Sequence, residues 1–217
     1  MSARSSILIA VSAAVAAGAC GDISSPSRSD IFEWRGTAPN IDGLTFHWLE
    51  SRLPVKIWVE DSLGLPGHTA AGIETWKEQF LYGEWDAVIV TDSSTADVVI
   101  GFSIMPAIRS IKLFSAAPGC SAVTSFPLPV IGSTIALPFR VRITNLSSAP
   151  TSPEAQFCYA ITVAHELGHT MGLLDQGHTG TEETDLMFHN PVSGPTARDR
   201  NTIQRLYHTE PDLTASR

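Results

Sequence analysis

The sequence predicts a mixed α/β (α+β) domain, with helices packed on a twisted sheet, and three stretches carry that prediction. Residues 54–60 (PVKIWVE) alternate Val55, Ile57 and Val59 with Lys56 and Trp58, the pattern of a half-buried strand. Residues 68–80 space Ala70, Ile73, Trp76 and Phe80 along one helical face. From Thr151 a second and longer helix begins, so the order is strand, helix, further strands, helix. At 217 residues, less a leader, the chain fits one domain with a substantial core.

Residues 1–19 read as an export leader. Arg4 lies in a short n-region, residues 7–17 form an apolar run too short to span a bilayer, and Ala17-Gly18-Ala19 is an A-x-A-like cleavage site. Cys20 follows, and Ala17-Gly18-Ala19-Cys20 is similar to a bacterial lipobox with Ala17 where Leu is usual. Either Cys20 is acylated and anchors the protein to a membrane, or the protein is simply secreted. Residues 20–40 contain Ser and Pro without a sustained period and read as a tether; residues 41–210 read as the folded domain and 211–217 as a tail.

Within the domain, residues 86–91 and 96–102 (ADVVIGF) are rich in β-branched side chains and read as buried strands. Residues 103–153 contain no Asp, Glu or His. Inside that stretch, 122–135 and 139–145 (FRVRITN) read as strands interrupted by Pro127, Pro129 and Pro138, which edges tolerate. Thr151-Ser152-Pro153-Glu154 starts the long helix, with a hydroxyl cap, Pro in the first turn and Glu placed for a capping box. Phe157, Ile161, Ala164, Gly168 and Met171 form its buried side, and Cys158, Thr162, His165 and His169 the neighbouring stripe. Residues 196–208 are a last helix, with Ile203, Leu206 and Tyr207 inward and Arg198, Asp199 and Arg200 outward.

The long helix carries His165-Glu166-Leu167-Gly168-His169, the H-E-x-x-H pattern of zinc peptidases. Residues four apart lie one above the other on a helix, so His165 and His169 can grip one ion. Glu166 is rotated roughly 100° from His165, beside the ion, where it can deprotonate a bound water. Gly172 is placed to end the helix in a left-handed turn, bringing the chain back beneath the histidines. His47, His68, His189 and His208 have no ligand spacing.

Net charge is −8, which speaks against nucleic acid as a partner and against general adhesion to acidic membranes, leaving an N-terminal lipid as the only expected membrane contact. If Cys20 carries lipid, Cys120 and Cys158 remain as an even pair in an oxidising compartment, either bridged by a disulfide, the favoured reading, or left as buried thiols. Cys158 lies about 10.5 Å before His165 along the helix axis, too far to share its ion.

His165 to Gly172 reads H-E-x-x-H-x-x-G, and Asp185-Leu186-Met187-Phe188 looks like a Met-turn. With the closing Leu206-Tyr207, these residues make the chain resemble a bacterial matrixin-like metzincin from about Leu53 to Tyr207. The resemblance implies a zincin-like fold, with two helices on the sheet of an upper subdomain and the Met-turn and C-terminal helix in a lower one. It implies one catalytic zinc, hydrolysis of extended protein or peptide substrates with Glu166 as base, and strand addition beside the site. Phe188 to Gly194 would line the pocket for the side chain after the scissile bond, and a monomer is expected. The structural zinc and calcium of animal matrixins are not expected, because residues 103–153 lack their ligands. Metzincins usually place the third ligand three residues after the glycine, where this chain has Asp175, as the snapalysin group does. His178 is preferred, because it precedes Met187 by nine residues, close to the usual matrixin step, and imidazole is the commoner partner for two histidines. The alternative from another class is a lipid-tethered binding protein with the same fold and no chemistry.

Overall fold

Strand β1 (Val55–Val59) buries Val55, Ile57 and Val59 and turns Lys56 out, the alternation its sequence shows. The computed structural model describes residues 31–106, 110–117, 119–127, 132–175, 184–191 and 193–217. The leader and Cys20 lie outside the described residues. Helix α1 (Leu65–Lys77) buries Leu65, Thr69, Gly72, Ile73 and Trp76. Ala70, expected on that face, is exposed because it falls outside the stripe these residues define.

Both β2 (Ala87–Val90) and β3 (Val98–Gly101) pair in parallel with β1. The expectation of burial holds for β3 alone. At the sheet edge, β2 leaves Val88 and Ile89 exposed, with β1 as its one neighbour among the described strands. On the far side β7 (Phe139–Asn145) runs parallel to β3, β5 (Cys120–Pro127) runs antiparallel to β7, and β4 (Ser110–Ala117) folds back on β5. The six-stranded order is β2–β1–β3–β7–β5–β4. β4 lies outside the strands expected from the sequence at 122–135 and 139–145. Its presence makes β4 the edge and encloses β5, whose side would otherwise be open to strand addition.

Two segments read as appendages are part of the fold. The tether assigned to residues 20–40 is corrected from residue 31 onward: Phe32, Trp34 and Ala38 are buried, and Trp34 accepts the backbone N–H of Leu174. The tail assigned to residues 211–217 is corrected as well, because Leu213 is buried and β8 (Thr214–Ser216) pairs in parallel with β6 (Thr134–Ala136). Phe32 and Trp34 in the first and Leu213 in the second find the core from segments too short to show a period.

Helix α2 (Pro153–Met171) starts as expected, with Ser152 accepting from the N–H of Ala155 and Pro153 at its first position. It packs on α1 and on β5, β4 and β7. From Tyr159 to Met171 nearly every residue is buried, so the helix runs through the interior. Phe157 is the correction here: it is 59% exposed, in the first half of the helix where the outer side is uncovered. Trp76 on α1 donates its indole N–H to the carbonyl of Ala164 at 2.7 Å, and Trp48 donates to Thr170 at 2.9 Å. Both ties satisfy a polar atom that burial would otherwise penalise by about 1–3 kcal/mol. Helix α3 (Ala197–Tyr207) closes the domain, capped by Thr196. No helix among the described residues is long and apolar enough to cross a membrane.

Candidate metal centre

Near its C-terminal end α2 buries two imidazoles, His165 at 0% and His169 at 1% exposure. One helical turn separates them, and their Nε2 atoms stand 3.0 Å apart. The Nδ1 of His165 lies 2.7 Å from the carbonyl oxygen of Leu186, and that of His169 lies 2.6 Å from the carbonyl oxygen of Leu173. A carbonyl can only accept, so each Nδ1 carries the proton and each neutral ring presents its lone pair at Nε2. Lone pairs facing each other at 3.0 Å repel, and a cation between them turns the repulsion into attraction. Zinc–nitrogen bonds of about 2.0–2.1 Å at a tetrahedral angle put two nitrogens roughly 3.3 Å apart, so the pair fits a zinc-sized ion. A shared proton would serve only by charging a fully buried imidazole.

The two carbonyls are held by the chain on either side. Gly172 ends α2 at φ 117°, and its left-handed turn lets Leu173 N–H bond to Gly168 O at 3.2 Å while Leu173 O reaches back to His169. A side chain at residue 172 would put its Cβ 1.8 Å from the carbonyl oxygen of Phe46, so the position needs glycine on steric grounds too. The Leu186 carbonyl belongs to the turn around Met187. There Asp199 accepts the N–H of Leu186 at 2.8 Å and of Met187 at 3.1 Å, while also completing the capping box with Thr196. Met187 is buried against Gly168, where a Cβ would come within 2.5 Å of its sulfur. Asp199, expected to point outward, is thus wholly buried. Burial raises its pKa and the backbone bonds from Thr196, Leu186 and Met187 oppose that rise. The T-x-x-D spacing from Thr196 to Asp199 was the readable sign of that inward carboxylate.

Glu166 is also fully buried. Ser115 of β4 donates to its Oε1 at 2.5 Å, and Thr124 of β5 donates a shorter bond to its Oε2. Desolvation pushes its pKa up to about 7 against the lowering effect of those two hydroxyls. Neither hydroxyl residue belongs to a motif in the sequence. The signal was a polar residue in an inward slot of an alternating strand: Ile111, Leu113 and Ser115 face in on β4.

Of the alternative third ligands, Asp175 is largely buried and accepts from the hydroxyl of Thr37 at 3.1 Å. His178 lies in residues 176–183, outside the described residues. Among the described residues no group of three His, Cys, Asp or Glu side chains is gathered closely enough to hold a metal. In the segment Phe188 to Gly194, Phe188 is half-buried and its ring stacks on His189 at 4.1 Å.

Cys120 and Cys158 form a disulfide across 6.0 Å between their α-carbons, joining the start of β5 to α2. With 38 positions separating the cysteines, the chain-entropy model gives about 4 kcal/mol of stabilisation. A scan against protein-family models finds no match to this chain, and a search of the curated proteins finds no significant relative.

Proposed function

We propose that the chain is an exported zinc endopeptidase of the metzincin, matrixin-like kind, acting on extended protein or peptide substrates. The observation that supports this reading is the buried pair of Nε2 atoms 3.0 Å apart, with both Nδ1 atoms within hydrogen-bond distance of carbonyl oxygens and a buried carboxylate on the next residue of the helix, Glu166.

His165 and His169 would hold the zinc, with His178 as the proposed third ligand. Bound zinc supplies a Lewis acid and brings the pKa of a water to about 7. Glu166 then takes the proton of the attacking water and returns it to the nitrogen of the leaving amine. Each of its oxygens already accepts one hydroxyl bond and keeps a second lone pair for that proton. The carbonyls of Leu186 and Leu173 keep both imidazoles in one tautomer and orientation, and Met187 fills the space beneath Gly168.

Metal analysis of the purified chain with a casein-cleavage assay tests this. One zinc per chain is expected, with cleavage lost on chelation and restored by zinc; a chain that binds no zinc, or a zinc-loaded chain that leaves casein intact, overturns the reading. The third ligand is tested separately. His178→Ala is expected to lose zinc and activity, while Asp175→Ala keeps most of both. The opposite pattern would assign the position to Asp175.

A further inference from the structure

Glu166 is held by two residues outside every motif described above. In the β4–β5 register Ser115 stands opposite Ala122, and Leu113 opposite Thr124. The two hydroxyls therefore come from adjacent rows of one inward face, and each reaches a different oxygen of the same carboxylate. Ser115 is 4% and Thr124 0% exposed, so water does not compete for either bond. The rest of that face is apolar, with Ile111, Leu113 and Ala122 all buried. An apolar face of a sheet has no need of two hydroxyls aimed at a single carboxylate.

Resting on the peptidase reading, we propose that Ser115 and Thr124 are positioning residues for Glu166, fixing the plane of its carboxylate while it takes and returns a proton. Hydroxyl groups suit this task. Each donates one hydrogen bond without bringing a formal charge, so the carboxylate is oriented without being neutralised, as it would be by Lys or Arg. The bonds come from a sheet strand and from its hairpin partner, so the carboxylate is fixed to the sheet as well as to its own helix. Side chains held from a second direction in this way keep the narrow geometry that proton transfer requires.

The test compares Thr124→Val, which keeps shape and removes the donor, with Thr124→Ser, which keeps the donor and removes a methyl. Ser115→Ala runs in parallel, in case the valine variant does not fold. Expected is a fall in kcat of about tenfold or more in Thr124→Val and Ser115→Ala, with KM within about twofold. Zinc affinity, measured by competition with a chelator, should be unchanged. Thr124→Ser should recover kcat to within about threefold of the wild type even though its melting temperature falls, because the donor is back and only packing is lost. If activity instead follows melting temperature, with the serine and valine variants alike, or if kcat is unchanged or rises in Thr124→Val, the proposal is wrong. These outcomes require an active wild type. A zinc-loaded wild type without peptidase activity would sink the preceding reading, and this one with it, and is a result of a different kind.

Discussion

Glu166→Gln is expected to lower kcat for peptide hydrolysis by about 10²–10⁴-fold, the usual contribution of a general acid–base group, while zinc content stays that of the wild type. The separation of effects follows from the geometry. His165 and His169 take their orientation from the carbonyls of Leu186 and Leu173, and neither contact involves the Glu166 side chain. The fold should tolerate the change as well. An amide at residue 166 keeps one acceptor and gains a donor, and a hydroxyl can rotate to accept from it, so the partners at Ser115 and Thr124 remain usable. Replacing a buried carboxylate by a neutral amide also removes a desolvation cost. Rates on a fluorogenic peptide, metal analysis and a thermal melt on the same preparation decide it. Activity within tenfold of the wild type would exclude Glu166 as the base.

Gly172→Ala is expected to be the most damaging glycine-to-alanine substitution among the described residues, destabilising the protein by more than about 4 kcal/mol, at the far end of what single mutations do. Two effects add there. The residue sits at φ 117°, where an L side chain is strained, and the new Cβ would lie 1.8 Å from the carbonyl oxygen of Phe46. The obstacle is backbone, so no side-chain rotation relieves it. Gly43→Ala provides the control: its φ is 73° but nothing lies within 4 Å of the added Cβ, so only the conformational penalty of roughly 1–2 kcal/mol applies. Denaturant melts of both variants measure the difference. A Gly172→Ala protein as stable as Gly43→Ala would show that Phe46 and the end of α2 can move apart. Zinc affinity should fall in the folded fraction of Gly172→Ala, because the Leu173 carbonyl is positioned by that turn.

What was legible in the sequence was what repeats locally. The cap at Ser152, the run to Met171 and the stop at Gly172 are written within one helix, and so is the one-turn step from His165 to His169. The pairing of Cys120 with Cys158 followed from counting cysteines in an export context, not from geometry. What was not legible depends on partners distant in the chain. Phe32 and Trp34 look like part of a polar tether until a core is there to receive them, and Thr214 to Ser216 become a strand only beside Thr134 to Ala136. Asp199 reads as an outward charge on an amphipathic helix until the turn at Leu186 and Met187 supplies its N–H groups. Ser115 and Thr124 are ordinary strand residues unless the strand is known to lie over Glu166.

The disulfide and the Thr124–Glu166 bond are rungs between the same two rails. From Cys120 to Thr124 the strand advances four residues, about 13 Å at 3.3 Å each, and from Cys158 to Glu166 the helix advances eight, about 12 Å at 1.5 Å each. The near-equal lengths let strand and helix keep step over two helical turns, so the covalent rung sets the phase of the polar one. Cys120 and Thr124 are an even number of residues apart and point to the same side of the sheet. A single inserted or deleted residue between them would leave the cross-link intact, yet it would turn the hydroxyl to the opposite face and strip the carboxylate of that partner. The spacing between one cysteine and one threonine is therefore fixed by the two-residue period of the strand, though none of the motifs above contains it.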